Sequence, residues 1–116
     1  MKHYSVVVIG AGPSGLCLAH HLRKKDIDYI ILEKNEILHT WKNERWDSFD
    51  LVTPNWMSIL PDSEEIIPKN NEFMSKKEIV NSLEKFAKKI NPNILEHTII
   101  SSVSREKNSE NFKKYI

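Results

Sequence analysis

The sequence predicts an α/β fold in which parallel strands alternate with helices. Three observations predict it. A run of four apolar residues, Val6-Val7-Val8-Ile9, opens the chain and leads straight into a glycine turn, Gly10-Ala11-Gly12-Pro13-Ser14-Gly15. A helical stretch follows, and then a second apolar run, Tyr29-Ile30-Ile31-Leu32, ending in Glu33. Further on, Ser75 to Ile90 carries a strong helical periodicity.

The first strand is read over Tyr4–Ile9, and its consecutive, mostly β-branched residues suit a strand buried on both faces. Gly10 turns the chain tightly out of that strand. Gly12 leaves no side chain in the way of a pyrophosphate, and Gly15 lets the helix pack closely on the strands. Ala19, one helical turn later, keeps the same face small. The helix is read from Pro13 to about Lys25, with Leu16, Ala19 and Leu22 along one side and lysines in its last turn. Its N-terminus presents unpaired N–H groups and the positive end of the dipole, and Pro13 fits the first turn, where its missing N–H costs nothing.

Asp26 to Asp28 turn the chain into the second strand. Glu33 stands seventeen residues beyond Gly15, enough for a helix, a turn and a strand. A carboxylate at that tip can accept from both hydroxyls of an adenosine ribose and would repel a 2′-phosphate, so FAD or NAD is preferred over NADP. A lone glycine motif is weak evidence, but all 3 glycines of the chain fall inside this one, at the three positions the geometry needs. The unit is therefore a Rossmann-like dinucleotide-binding βαβ.

From Lys34 to Pro68 the pattern is irregular, with Trp41, Trp46 and Trp56 and three prolines. Long aromatic-rich connections of this kind are commonly functional or covered by something else. Phe49 to Val52 is read as a short strand and Leu60-Pro61-Asp62 as a turn. The second long helix starts with a capping box, Ser75 and Glu78. It buries Ile79, Val80, Leu83, Phe86, Ala87 and Ile90, and stops at Asn91-Pro92. Ile94-Leu95 is read as a short third strand, Thr98–Val103 as a fourth, Ser104–Asn111 as a polar turn, and Phe112–Ile116 as the start of a return strand of a β meander.

Composition bounds the rest. The chain of 116 residues has room for one domain and one modest core. A formal net charge of +1 leaves no electrostatic footprint for nucleic acid. The single Cys17 rules out an internal disulfide and is read as a small packed residue, not a nucleophile. No leader of signal-peptide type opens the chain and no segment has the length and apolarity to span a bilayer, so a reducing, cytoplasmic setting is expected. His20 and His21 are neighbours and point apart, and His3, His39 and His97 lack partners at metal-ligand spacing, so no metal site is expected. Asp47, Asp50 and Asp62 read as turn and surface carboxylates.

Gly10, Gly12, Gly15 and Ala19, in the form GxGxxGxxxA, resemble the N-terminal FAD-binding segment of flavoproteins with two dinucleotide domains. Trp41, Arg45 to Ser48, Leu51-Val52-Thr53-Pro54 and Leu60-Pro61 narrow the resemblance to the flavin-containing monooxygenase branch, and Phe73 to Ala87 resembles the helix that follows there. The resemblance implies that Gly10, Ala11, Gly12, Pro13, Ser14 and Gly15 wrap the FAD pyrophosphate. It implies that Glu33, with Lys34 beside it, holds the ribose, that Thr40 and Trp41 cover the pyrophosphate and ribityl side, and that Thr53 to Asn55 approach the flavin ring. Trp46 and Trp56 are read as packing residues.

Two departures stand out. Leu38 and His39 occupy the place of a glycine pair that the family has before its tryptophan, so two side chains are expected where backbone should approach the cofactor. The family also continues into a second glycine-rich unit for NADPH, which is not in this sequence.

The expectation is thus a partial FAD-binding domain over residues 1–116, part of an NADPH-dependent monooxygenase acting on a small-molecule substrate through a flavin C4a-(hydro)peroxide. No catalytic acid, base or nucleophile is nominated. Unfinished apolar surface, and self-association through it, is expected where later strands would dock. The alternatives are a stand-alone nucleotide-binding module that needs a partner chain, or a truncated remnant that binds nothing tightly; a small NAD-dependent dehydrogenase is a weaker option.

Overall fold

The computed structural model describes residues 2–46 and 48–105. Three parallel strands form one sheet: β1 (Val6–Ile9), β2 (Tyr29–Leu32) and β3 (Ile94–Leu95), in the order β1-β2-β3 with β2 central. Val6 stands opposite Tyr29 and Ile9 opposite Leu32; Ile31 and Leu32 stand opposite Ile94 and Leu95. Helix α1 (Pro13–Lys24) connects β1 to β2 and packs on both strands. Helix α3 (Lys76–Ile90) packs against α1 and leads into β3. The first half of a Rossmann-like α/β fold is therefore as the sequence predicts, with strand ends trimmed by one or two residues.

One face of the sheet is closed. Val8 and Ile31 meet Leu16, Ala19 and Leu22 of α1, and Leu83, Phe86 and Ile90 of α3, in a single buried cluster. The helix ends follow local chemistry. At the end of α1, Asp26 takes a left-handed φ of 59°, which lets Ile27 N–H reach the Leu22 carbonyl and Asp26 N–H that of Arg23. At the start of α3, Glu78 N–H donates to Ser75 Oγ at 3.3 Å and Ser75 N–H donates back to Glu78 Oε1 at 3.3 Å, so the predicted capping box is formed. Asn91, left-handed at φ 46°, ends that helix before Pro92.

Three expected elements differ. Phe49–Val52 is no strand of the sheet: Asp50 makes one antiparallel bridge to Ser75, with Leu51 N–H donating to the Met74 carbonyl. The turn at Thr53-Pro54 leaves too little length for a ladder. The Lys34–Pro68 connection is not wholly irregular, since it holds a short helix α2 (His39–Asn43) and a 3₁₀ turn at Asn55–Met57. Thr98–Val103 forms no strand; Ile99 is 78% exposed, and among the described residues no neighbouring strand offers its backbone a ladder. Phe112–Ile116, most of the polar turn before it, and Asp47 lie outside the described residues.

The loop around Asp62 is fastened to both long helices. Its carboxylate takes His20 Nε2 at 2.8 Å and Lys24 Nζ at 3.0 Å from α1, while Lys89 Nζ of α3 donates to the Asp62 carbonyl and, at 2.8 Å, to Glu65. The hydrogen bond from His20, then Lys24, lowers the Asp62 carboxyl to about 2. A carboxyl depressed in the folded state stabilises above its unfolded value, about 3.9, and loses that contribution as pH falls through about 2. Asp62→Asn is expected to flatten the acid limb of stability between about pH 4 and pH 2, read by urea denaturation at stepped pH.

Candidate functional site

The chain folds its glycine turn and its acidic strand tip into one corner. Gly10 leaves β1 at φ +102°, a conformation that a side chain would strain, and its N–H donates to the Leu32 carbonyl at 3.0 Å. Gly12 is the residue before α1, and a Cβ built on it meets nothing within 4 Å. No side chain caps that helix end, so the donors of its first turn face the same open space. Gly15 serves packing instead. A Cβ there would overlap the Gly10 carbonyl oxygen and stand 3.5 Å from Val8 Cγ1.

Glu33 faces this turn. Its Oε1 accepts from Ala11 N–H at 2.9 Å and its Oε2 from Asn35 N–H at 2.7 Å. Each carboxylate oxygen has a second lone pair, so the group can still accept from two hydroxyls. Beside it opens a cleft of about 290 Å³. Gly10, Glu33, Lys34 and Thr40 line it, with Asn35 and the Thr98–Ile100 segment as its outer wall. Thr98 N–H donates to the Glu33 carbonyl at 2.8 Å and His97 N–H to that of Asn35 at 2.9 Å, which holds the wall in place. The volume sits at the low end of small-molecule pockets, roughly 300–1,000 Å³, and suits a nucleoside half better than a whole dinucleotide. The wall itself escaped the sequence reading, because its apolar alternation looks like a strand.

Leu38 and His39 do not obstruct this corner as expected. Leu38 is left-handed at φ 61°, its side chain is buried in the core at 1% exposure, and its N–H donates to the Ala11 carbonyl at 2.9 Å. The backbone thus takes the shape a glycine would give and turns the side chain away. His39 is half-exposed on α2 and pairs with Asn43 at 3.2 Å.

The remaining predicted site residues lie elsewhere. Trp41 packs edge-to-face on Phe49 at 5.9 Å, with the Arg45 guanidinium 3.9 Å above its ring, and does not line the cleft. Thr53 and Asn55 lie on the segment that runs beside Asn70 to Met74. Asn55 is 4% exposed; its amide nitrogen donates to Asn70 Oδ1 at 2.9 Å, and its own oxygen has no partner among the described residues. Pro13 and Ser14 form the first turn of α1. Burial raises the Cys17 thiol, consistent with a packed and unreactive residue. Among the described residues no cluster of His, Cys, Asp and Glu could hold a metal, and no helix is long and apolar enough to cross a membrane.

Residues 7–113 match the pyridine nucleotide-disulphide oxidoreductase family. The chain belongs to that family. It is 38% identical to the uncharacterized oxidoreductase CzcO of Bacillus subtilis over 106 residues, which make up 90% of this chain and 30% of that protein. The flavin-containing monooxygenase of Stenotrophomonas maltophilia is 27% identical and superposes with a TM-score of 0.77 over 91% of this chain and 32% of its own. The structure of OTEMO in complex with FAD and NADP, 22% identical, shares the fold at a TM-score of 0.75 over 92% of this chain and 22% of its own. This pyridine nucleotide-disulphide oxidoreductase family member is thus similar to flavin-monooxygenase-like oxidoreductases and spans about a third of the CzcO relative's length.

Proposed function

We propose that residues 1–116 are the FAD-binding portion of a flavoprotein oxidoreductase and that the cleft takes the ADP half of FAD. The observation that carries this is the clip from Ala11 N–H to Glu33 Oε1, which fixes a carboxylate across the mouth of a glycine turn open at Gly12. The backbone N–H groups of Gly12, Ser14 and Gly15 and the α1 dipole would bind the pyrophosphate. Glu33 would accept from the ribose hydroxyls, and Lys34 and Thr40 would flank the nucleotide. Trp41, Thr53 and Asn55 would serve the flavin end, where the Asn55 oxygen, without a partner among the described residues, would accept from a donor.

FAD, when bound, supplies the redox chemistry of its ring; the residues of this chain bind and orient it. The whole flavoprotein would be an NADPH-dependent monooxygenase acting on a small molecule in the cytoplasm. Its 27% identity to the flavin-containing monooxygenase of Stenotrophomonas maltophilia supports the monooxygenase part of that reading. The NADPH site would lie on polypeptide outside this sequence, which has no second glycine-rich turn.

Isothermal titration with ADP, FAD and 2′-phospho-ADP-ribose tests the proposal. ADP and FAD are expected to bind, and the 2′-phosphate compound at least about 10-fold more weakly, through repulsion by Glu33. Absence of ADP binding at millimolar concentration, or a preference for the 2′-phosphate, overturns it.

A further inference from the structure

Glu33 and Glu96 occupy matched positions. Leu32 and Leu95 stand opposite each other in register, so the two glutamates follow their strands at the same level, at the carboxyl ends of β2 and β3. Each reaches back to the connection that leaves the preceding strand of the sheet. Glu33 Oε1 accepts from Ala11 N–H, just after β1, at 2.9 Å. Glu96 Oε2 accepts from Ile37 N–H, in the loop after β2, at 2.8 Å. The second contact repeats the first, one strand further along the sheet. Glu33 lines the cleft; Glu96 does not.

The loop that Glu96 grips supplies Lys34 and Asn35 to the cleft, with Thr40 just beyond it. Its backbone is tied at several points. Asn35 N–H donates to Glu33 Oε2 at 2.7 Å, and the Asn35 carbonyl accepts from His97 N–H at 2.9 Å. Leu38 N–H donates to the Ala11 carbonyl at 2.9 Å. Ile37 N–H stands between these ties, and its acceptor is the Glu96 side chain. Leu38 follows at once, with a φ of 61° that a leucine keeps only where its surroundings fix it. Glu96 reaches from a firm base. Its carbonyl accepts from Thr98 Oγ1 at 3.0 Å, and the Leu95 carbonyl before it accepts from Glu33 N–H at 3.0 Å.

We propose that Glu96 is a positioning residue of the nucleotide site. Its carboxylate holds the Ile37 peptide, and that peptide keeps the loop against the glycine turn. The loop in turn, through Asn35 N–H, keeps Glu33 in the orientation that offers its remaining lone pairs to a ribose. The length of the Glu96 side chain sets this geometry, and its charge does not. An acceptor oxygen at the right reach is all that the Ile37 N–H needs. The inference rests on the nucleotide reading above for the ligand, and on the observed hydrogen bonds alone for the loop.

Two substitutions in the full chain separate reach from charge. Glu96→Gln keeps the reach and an acceptor oxygen and loses the charge; Glu96→Asp keeps the charge and is one methylene too short. Each is titrated with ADP and with 2′-phospho-ADP-ribose, and amide hydrogen exchange is followed at Ile37 and in the core of α3. Glu96→Gln should stay within about 2-fold of the parent in ADP affinity and in Ile37 exchange. Glu96→Asp should weaken ADP about 5-fold, the size of a single hydrogen bond, and speed Ile37 exchange by at least as much, with the α3 amides unchanged. The 2′-phosphate compound gains nothing from Glu33, so its affinity should change by less than about 2-fold in both variants. Unchanged Ile37 exchange in Glu96→Asp, equal losses for the two ligands, or a Glu96→Gln variant weaker than Glu96→Asp overturns the proposal. If the parent binds no ADP while Ile37 exchange still follows side-chain reach, Glu96 is supported as the residue that holds the loop and the nucleotide reading is refuted instead.

Discussion

Gly15→Ala is expected to destabilise the domain by about 3 kcal/mol, the upper end of ordinary overpacking costs. The added Cβ has nowhere to go. It falls on the Gly10 carbonyl, which is backbone and cannot rotate aside, while Val8 Cγ1 at 3.5 Å is in ordinary contact. Gly10 is itself held by its bond to the Leu32 carbonyl, so relief must come from α1 lifting off β1. That movement would pull Leu16 and Ala19, both fully buried, out of the central cluster. For a domain of this size the melting temperature should fall by roughly 12–20 °C. Gly12→Ala is the control: its site is open and its φ of −85° suits any residue, so stability should hold while nucleotide binding suffers. A Gly15→Ala variant that melts within about two degrees of the parent would show that close helix–strand approach is not what this glycine serves.

That contrast between two glycines of one motif marks how far the sequence could be read. The motif announced a turn and a helix, and local signals fixed both long helices because their information lies within a few residues of each end. The capping box at Ser75 and Glu78 and the stop at Asn91-Pro92 are of this kind. β3 was legible as well, though it is two residues long, because it follows a firm helix stop.

Features held by tertiary contacts were not legible. Helix α2 is a single turn that starts from a left-handed leucine, which no propensity favours. It exists because Leu38 fills the core and its N–H finds the Ala11 carbonyl. The same contact explains why Leu38 leaves the corner open: strain of about 1–2 kcal/mol at φ 61° is offset by a buried leucine side chain. The cleft wall at Thr98–Ile100 is set by hydrogen bonds to Glu33 and Asn35 backbone, more than sixty residues away in sequence. Asp62 looked like a turn carboxylate and is one, but its turn is tied by His20 and Lys24 from a helix some forty residues earlier.

Glu33→Gln is expected to weaken ADP and FAD binding about 100-fold, close to 2.7 kcal/mol. The substitution keeps the shape and removes half of the acceptor capacity. In the parent both carboxylate oxygens accept backbone N–H groups, Ala11 on one side and Asn35 on the other, and each keeps a lone pair for a ribose hydroxyl. Glutamine has one oxygen. If that oxygen stays with Ala11, an amide N–H₂ confronts the Asn35 N–H; if it turns to Asn35, the conflict moves to Ala11 at the glycine turn. Either way a donor faces a donor, and one ribose hydroxyl loses a charged acceptor, each such bond contributing about 1.5–3 kcal/mol. Stability should fall more modestly, by about 1–2 kcal/mol, because the clip between the two strand tips is weakened without opening a cavity. Titration calorimetry beside urea denaturation separates the two effects. A variant that loses stability but keeps its ADP affinity would mean that Glu33 serves only to brace Ala11 and Asn35, and that the ribose is held by other groups of the cleft.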